Sequence, residues 1–410
     1  MRHLCENMPE EGDRHGIAGV IRMEHKDIAI NGDNAIAMAW KQIDPDVCAA
    51  YPITPQTIIV ERFSDYVADG EVNTEFVCTE SEHSALTLCI AAAAAGARTV
   101  TATASVGLGH LWEMLGVAAG LRTPLTMAVS NRALSAPINI HCDHGDAMAS
   151  RDSGWLMIFA ENVQEAYDNA IIAPRIAEHK DVQLPMMTCL DGFILTHAIE
   201  RMTPMDTHTV KAFVGPYKPV YPLLDWKNPV TQGAMDLHDY YYEHRYQMQE
   251  AMAAALKVSE DVFKDFEKIS GRKYSVVDEY RCDDADYVAV CLGSTFGTMK
   301  ATVDMLRKEG KKVGVMMPRL FRPLPMERIA KAVSGKKGVA VLDKFMSLGG
   351  YPPLFEDVVT SSTCLKDMPK IYSYVYGLGG RDAKVDDLKT VFTDMMDNKA
   401  KKVNYLGVKS

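Results

Sequence analysis

The chain has 410 residues, 47% hydrophobic and 24% charged, enough apolar surface for the cores of two or three domains and unlike the composition of a disordered protein. Its formal net charge of -10, with no basic cluster beyond Lys399 to Lys402, argues against a nucleic-acid partner, because phosphate neutralisation needs a basic face. Residues 1–26 form an extension rich in His, Glu and Arg without the apolar run of a signal segment, and no run elsewhere reaches membrane-spanning length, so a cytoplasmic protein with no membrane partner is expected.

Short apolar runs alternate with helical patterns, a βαβ rhythm that predicts an α/β protein. In chain order the expected elements are a helix near Asn34 to Gln42, a strand Val47 to Tyr51, a helix Gln56 to Val67, a strand Glu75 to Cys78, a helix Glu82 to Ala95 and a strand Thr99 to Thr103. A helix Gly109 to Ala119, strands Leu125 to Ser130 and Leu156 to Phe159, a helix Val163 to Ala177 and a strand Pro185 to Cys189 follow. The rhythm breaks after Ile199. Gly215 to Pro222 and the aromatic Asp239 to Tyr246 read as an extended connector, and Arg245 to Ile269 as a long helix. A second α/β unit then starts near Gly271, with strands Tyr287 to Leu292, Lys312 to Met317, Gly338 to Leu342 and Ile371 to Val375.

The cysteines number nine, an odd count with no CxxC pair, and several fall inside apolar strands or helices. Buried free thiols are expected, with neither a disulfide framework nor an iron–sulfur cluster held by this chain.

Two stretches carry chemistry. Tyr51-Pro52-Ile53-Thr54-Pro55 leaves a strand and is stiffened by its prolines, which presents Thr54 on a rigid turn. Glu82 heads a helix that is apolar on all sides (Leu86, Leu88, Cys89, Ile90, Ala91 to Ala95) and is therefore expected to be buried. The carboxylate has a structural reading, since Thr79-Glu80-Ser81-Glu82 fits a capping box with Thr79 as N-cap. It also has a chemical one, because a carboxylate at a helix start can accept a proton from, or share one with, a ligand nitrogen.

Arg132 ends a strand at the same topological edge, where a guanidinium suits bidentate capture of a small carboxylate or a structural ion pair. His141-Cys142-Asp143-His144-Gly145-Asp146 offers metal-ligand types, but adjacent His and Cys need a matching pair elsewhere, so it reads as a polar loop and no metal is expected here. The turns Gly293 to Gly297 and Gly377 to Asp382 read as structural loops before phosphate cradles.

Over nearly its whole length the chain resembles the alpha subunits of multi-subunit 2-oxoacid:ferredoxin oxidoreductases, most closely those acting on pyruvate. The resemblance rests on Tyr51 to Pro55, Glu80 to Ala85, Ala95 to Thr99, Thr103-Ala104-Ser105, Arg132, Asp143 to Asp146, Asp191-Gly192-Phe193, Arg319 to Pro323 and Gly377 to Asp382 in combination. It implies a thiamine diphosphate pyrimidine-binding domain over residues 27–255, connector included, and a transketolase C-terminal-like domain over 256–410. It also implies that Glu82 bonds the pyrimidine nitrogen N1′ of the cofactor and promotes loss of the thiazolium C2 proton. Tyr51 and Ile53 would line the cofactor, and Thr54 and Arg132 would surround the 2-oxoacid.

The same resemblance implies oxidative, CoA-acylating decarboxylation, with coenzyme A as co-substrate. The Gly-Asp-Gly run and following Asn that carry Mg2+ and the diphosphate in thiamine enzymes do not occur in this sequence. A beta chain is therefore expected to supply that site and a proximal [4Fe-4S] cluster, with gamma and ferredoxin-like delta chains, external ferredoxin, and a dimer of hetero-oligomers. Thr54 fits relatives that act on pyruvate, whereas oxalate-specific ones carry Arg there. A 2-oxoisovalerate enzyme, or a scaffold subunit that has lost chemistry, are the alternatives.

Overall fold

The computed structural model describes residues 26–409, so all of the N-terminal extension except Lys26 lies outside the described residues. The first half runs β1 (Ile28–Ile30), α1 (Gly32–Ile43), β2 (Val47–Ala50), α2 (Thr57–Ala68), β3 (Glu75–Cys78), α3 (Glu82–Ala95), β4 (Thr99–Thr103), α4 (Ser105–His110), α5 (Trp112–Gly120) and β5 (Thr126–Asn131). It continues with α6 (Gly145–Ser150), β6 (Leu156–Phe159), α7 (Val163–Ala177), β7 (Met186–Asp191), β8 (Glu200–Met202), α8 (Thr207–Val214) and α9 (Tyr241–Ser270). The second half holds β9 (Asp278–Tyr280), β10 (Tyr287–Val290), α10 (Thr295–Lys308), β11 (Val313–Met317), β12 (Leu320–Arg322), α11 (Met326–Val333), β13 (Gly338–Asp343), α12 (Pro353–Ser362), β14 (Lys370–Val375), α13 (Val385–Met396) and β15 (Val403–Tyr405).

The first sheet has the order β12-β6-β7-β5-β4-β2-β3 and is parallel except at β12. Strands β4 to β7 are buried at every residue, as a parallel sheet covered by helices on both faces requires. From β2 the chain adds β3 on one side, then crosses to add β4 and β5 on the other. Loops leaving the carboxyl ends of β2 and β4 therefore diverge and open a crevice, the place where such sheets bind ligands. The second sheet, β15-β14-β13-β10-β11-β9, has its own reversal at β10. One apolar core joins the halves, running from Ala85 and Leu86 through Trp155 and Phe159 to Val288, Val341 and Phe392.

The α/β expectation holds, and the predicted strands β2 to β7 match to within about two residues, inside the usual boundary error. Four features differ. The helix expected from Gly109 begins at Ser105 and breaks at Leu111, in a stretch where Gly107 and Gly109 weaken helix propensity. The aromatic run Tyr241 to Tyr246 belongs to α9, which passes residue 255 without a break.

Strand β12 returns from the second half to the edge of the first sheet, a three-residue strand with no periodic signature that pairs with β6 through Leu320 and Arg322. The fourth difference corrects the burial of α3: Ala85, Leu86, Cys89, Ile90, Ala93 and Ala94 face the core, while Thr87 and Ala91 are exposed. An all-apolar helix carries no sequence mark of which face is covered within its own chain.

Among the described cysteines Cys48, Cys89, Cys142, Cys189, Cys282 and Cys291 are buried free thiols, and Cys78 and Cys364 are exposed. No described helix is long and apolar enough to cross a membrane.

Candidate active site

Ser81, extended at φ -161°, is the N-cap of α3, and its hydroxyl accepts the Ser84 N–H at 3.2 Å. The capping box with Thr79 as N-cap does not form; the Thr79 hydroxyl donates to the Ser81 carbonyl at 2.9 Å. Glu82 is thus the first helical residue, two positions before the one from which a side chain reaches back to the cap, and its carboxylate is free of backbone duty. The helix start favours negative charge at that position.

The Glu82 side chain is almost buried, with Oε2 lying 3.2 Å from Nδ1 of the half-exposed His110. Beside Oε1 stands Gly107: a Cβ there would lie 2.7 Å from Oε1 and 2.6 Å from Thr103 Oγ1. A glycine at this place lets α4 pass against the carboxylate without displacing it. Tyr51, Val106 and Trp112 on the neighbouring loops and helices are partly exposed apolar side chains.

Gln56, fully buried, donates to the carbonyls of Tyr51 at 2.9 Å and Ala102 at 3.2 Å, which staples the Tyr51–Pro55 turn to the end of β4. Thr54 is exposed and Ile53 half-buried on this turn. The Thr54 carbonyl accepts from Arg132 Nη1 at 2.9 Å, and Arg132 Nε donates to the Asn139 carbonyl at 3.0 Å. These two carbonyls, not an acid, hold the buried guanidinium, and its Nη2 edge has no protein partner among the described residues. The ion-pair reading of Arg132 therefore gives way to an oriented cation with a free edge.

Asp146 ties the edge together. Its Oδ2 accepts the backbone N–H of Ser105 at 2.9 Å and of Arg132 at 3.0 Å, and its Oδ1 accepts Asn131 Nδ2 at 2.8 Å and the Ala147 N–H at 2.7 Å. Burial pushes its carboxyl up to about 6, against the pull of these donors. Ser105 sits at φ 48°, a left-handed conformation costing a non-glycine residue roughly 1 kcal/mol, and the bond to Asp146 helps hold it.

Behind this edge, a buried polar cluster joins the two sheets. Asp191 at the end of β7 receives Lys344 Nζ at 2.6 Å and Ser294 Oγ at 2.6 Å on Oδ2, while His144 Nε2 lies 2.8 Å from Oδ1. Cys142, His144 and Asp191 bring potential metal-ligand atoms within 4.8 Å of one another. The Lys344 ammonium already supplies the cation on Asp191, so this donor set does not suit a metal. Burial alone would raise the Asp191 carboxyl, but Lys344 and His144 hold it well below the usual carboxylate range. Gly293, at φ 65°, passes so close that a Cβ would lie 2.5 Å from Asp191 Oδ1. The Gly293–Gly297 turn thus spends its polar groups on Asp191 within the protein, as a structural turn does.

Sequence reasoning singled out Thr54, Glu82 and Arg132, and the structure sets all three on loops or helix starts that follow β2, β3 and β5. It missed Gly107, His110, Asn139, Ser294 and Lys344 as partners of the site, because the contacts that join them to it, such as Glu82 to His110 or Asn139 to Gly379, span long sequence separations.

A family model described as pyruvate flavodoxin/ferredoxin oxidoreductase, thiamine diphosphate-binding, matches residues 38–264, and one described as pyruvate:ferredoxin oxidoreductase core domain II matches residues 285–388. The chain belongs to the pyruvate:ferredoxin oxidoreductase family. Within that family it is similar to pyruvate synthase subunit PorA of Thermotoga maritima, 51% identical over 384 residues, covering 93% of this chain and 98% of that one. Ketoisovalerate oxidoreductase subunit VorA of Pyrococcus abyssi is 40% identical over 376 residues, covering 91% and 95%. In fold, the chain is like a 2-oxoglutarate:ferredoxin oxidoreductase from Magnetococcus marinus solved with 2-oxoglutarate, coenzyme A and succinyl-CoA, at TM-score 0.69 and 18% identity, over 90% of this chain and 65% of that one.

Proposed function

We propose that this chain is the alpha subunit of a pyruvate synthase, acting in the reaction pyruvate + CoA + two oxidised ferredoxins → acetyl-CoA + CO2 + two reduced ferredoxins + H+. The observation that carries the reading is Glu82: a carboxylate released from capping by Ser81 and seated at a helix start, with Oε2 against His110 and Oε1, which has no hydrogen-bond partner among the described residues, packed beside Gly107. Such a group fits the ring N1′ of thiamine diphosphate, because a first-turn carboxylate can hold a proton on a ligand nitrogen without losing a structural bond. When bound, the cofactor supplies a carbon nucleophile and an electron sink for loss of CO2.

The chain's own residues bind and orient. Glu82 holds the proton shared with N1′, and Tyr51 and Ile53 form the wall beside the ring. The free Nη2 edge of Arg132 binds the carboxylate of the 2-oxoacid, with the Thr54 hydroxyl alongside. Arg132 is fixed by two carbonyls, so little guanidinium freedom is lost when the anion arrives.

The remaining parts belong to other chains in this reading. The partly exposed Tyr51, Val106 and Trp112, on the turn after β2, on α4 and on α5, suit cover by a beta subunit that brings the diphosphate, Mg2+ and a [4Fe-4S] cluster. Gamma and ferredoxin-like delta subunits, external ferredoxin, a dimer of hetero-oligomers and a cytoplasmic setting complete it, with the functional division of this chain near residues 255/256. Oxidation of 2-oxoisovalerate is the second reading, favoured by the 40% identity to a ketoisovalerate subunit but set behind pyruvate by the 51% relative.

The test is the anaerobically purified complex, assayed for CoA-dependent reduction of a low-potential dye with pyruvate, 2-oxoisovalerate, 2-oxoglutarate and oxalate in parallel. Pyruvate is expected to give the highest kcat/KM. Glu82→Gln should assemble normally yet lose turnover by about 100-fold or more. Full activity in that variant would remove Glu82 from the chemistry, and preference for 2-oxoisovalerate would replace the substrate.

A further inference from the structure

The Gly377-Leu378-Gly379-Gly380-Arg381-Asp382 motif of the second half has no place in the reading above, yet it lies against the loop that holds Arg132. Asn139, whose carbonyl accepts from Arg132 Nε, donates through Nδ2 to the Gly379 carbonyl at 3.1 Å. Its Oδ1 accepts the His141 N–H at 2.7 Å, and one residue further the Cys142 carbonyl accepts the Gly380 N–H at 2.7 Å. The loop between β5 and α6 is thus bonded to the second half on both sides of His141.

The approach is too close for side chains on the motif. A Cβ on Gly379 would lie 2.5 Å from Asn139 Nδ2, and one on Gly380 would lie 2.4 Å from His141 Cβ. Both glycines also have left-handed backbones, at φ 59° and 81°, where other residues are strained. At the base of the same loop the His144 N–H donates to the Lys344 carbonyl at 2.8 Å, so the loop's far end is anchored to the second half as well.

From this geometry we infer that the glycine motif of the second half, acting through Asn139, positions the Arg132 guanidinium for the substrate carboxylate. Asn139, Gly379 and Gly380 are positioning residues: none needs to touch substrate, and each acts through Arg132. The inference rests on the proposed role of Arg132 and extends it, because it makes the second half of the chain part of 2-oxoacid recognition. It also accounts for two glycines in a turn that no phosphate need occupy.

The experiment compares the assembled complex carrying Asn139→Asp, Gly379→Ala, both together, or Arg132→Lys. Asn139→Asp keeps the acceptor for His141 but turns a carboxylate oxygen toward the Gly379 carbonyl, so it cuts the link from the first half. Gly379→Ala cuts the same link from the second. Each should raise KM for the 2-oxoacid about tenfold, the effect of losing one partly buried hydrogen bond.

In each, kcat and the rate of C2–H exchange in bound thiamine diphosphate, read by NMR without substrate, should stay within about twofold, because Glu82 is not touched. The double variant should be no worse than either single one, since both remove one interaction. Unchanged KM in the two linkage variants while Arg132→Lys raises it would overturn the positioning role and leave Arg132 standing. A parallel fall of kcat, exchange rate and affinity would overturn it as well, by showing general disruption. If Arg132→Lys itself leaves KM unchanged, the carboxylate-binding reading fails first, and that failure is separately visible.

Discussion

Replacing Asp191 by Asn tests whether the buried cluster is what locks the two halves together. In the native chain the Asp191 carboxylate, fully buried, balances the almost fully buried ammonium of Lys344, 2.6 Å away. Asp191→Asn leaves that ammonium without a counter-charge and weakens the bonds from His144 and Ser294. Breaking one side of such a buried pair costs about 3–5 kcal/mol, far more than the roughly 0–1 kcal/mol of an exposed pair.

Denaturant unfolding of the purified full chain should show a loss of that size at neutral pH. Adding Lys344→Met, which removes the stranded charge, should restore a large part of it, giving a coupling energy of about 2 kcal/mol or more in the double-mutant cycle. The sign with pH is also fixed. Because Lys344 and His144 outweigh desolvation and depress the Asp191 carboxyl in the folded state, its contribution is complete above the ordinary carboxylate range and is lost only in strong acid. A cost below about 1 kcal/mol for Asp191→Asn, or no recovery in the double variant, would refute the lock.

Gly107→Ala should push a methyl against Glu82 Oε1 and Thr103 Oγ1, costing about 1–3 kcal/mol of stability and lowering kcat more than it raises KM; steady-state kinetics of the complex check this. Asp343, which accepts the N–H groups of Leu354 at 2.9 Å and Phe355 at 3.2 Å, is pushed up to about 8 by burial. The folded chain therefore keeps this proton up to pH near 8 while the unfolded chain releases it near 4, so stability falls as pH rises across that window. Asp343→Asn should flatten that slope, seen as a smaller difference between unfolding free energies measured at about pH 5 and about pH 8.

Much of the fold was legible in the chain because parallel strands buried on both faces leave short apolar runs, and the helices between them carry their own punctuation. Strands β3, β4 and β6 and helices α3 and α7 fall on the residues expected of them. Strand β12 was not legible, since three residues joining a distant sheet edge carry no period. For the site, the sequence marked Thr54, Glu82 and Arg132 by residue type and by their place at strand or helix ends.

The sequence alone could not choose between cap and tool for Glu82. Whether Thr79 or Ser81 caps α3 depends on where the chain leaves β3, and that is set when the sheet closes. Nor could it say that Arg132 meets carbonyls in place of an acid, or that Asn139 reaches Gly379 across 240 positions of sequence. By itself the sequence determined the α/β rhythm, the rigid turn at Thr54 and the carboxylate at the head of an apolar helix, because local sterics and hydrophobic period fix such features. Only the tertiary structure decided which polar atoms are left free to meet a ligand, since a hydrogen-bond partner is settled by the packing of segments far apart in the chain.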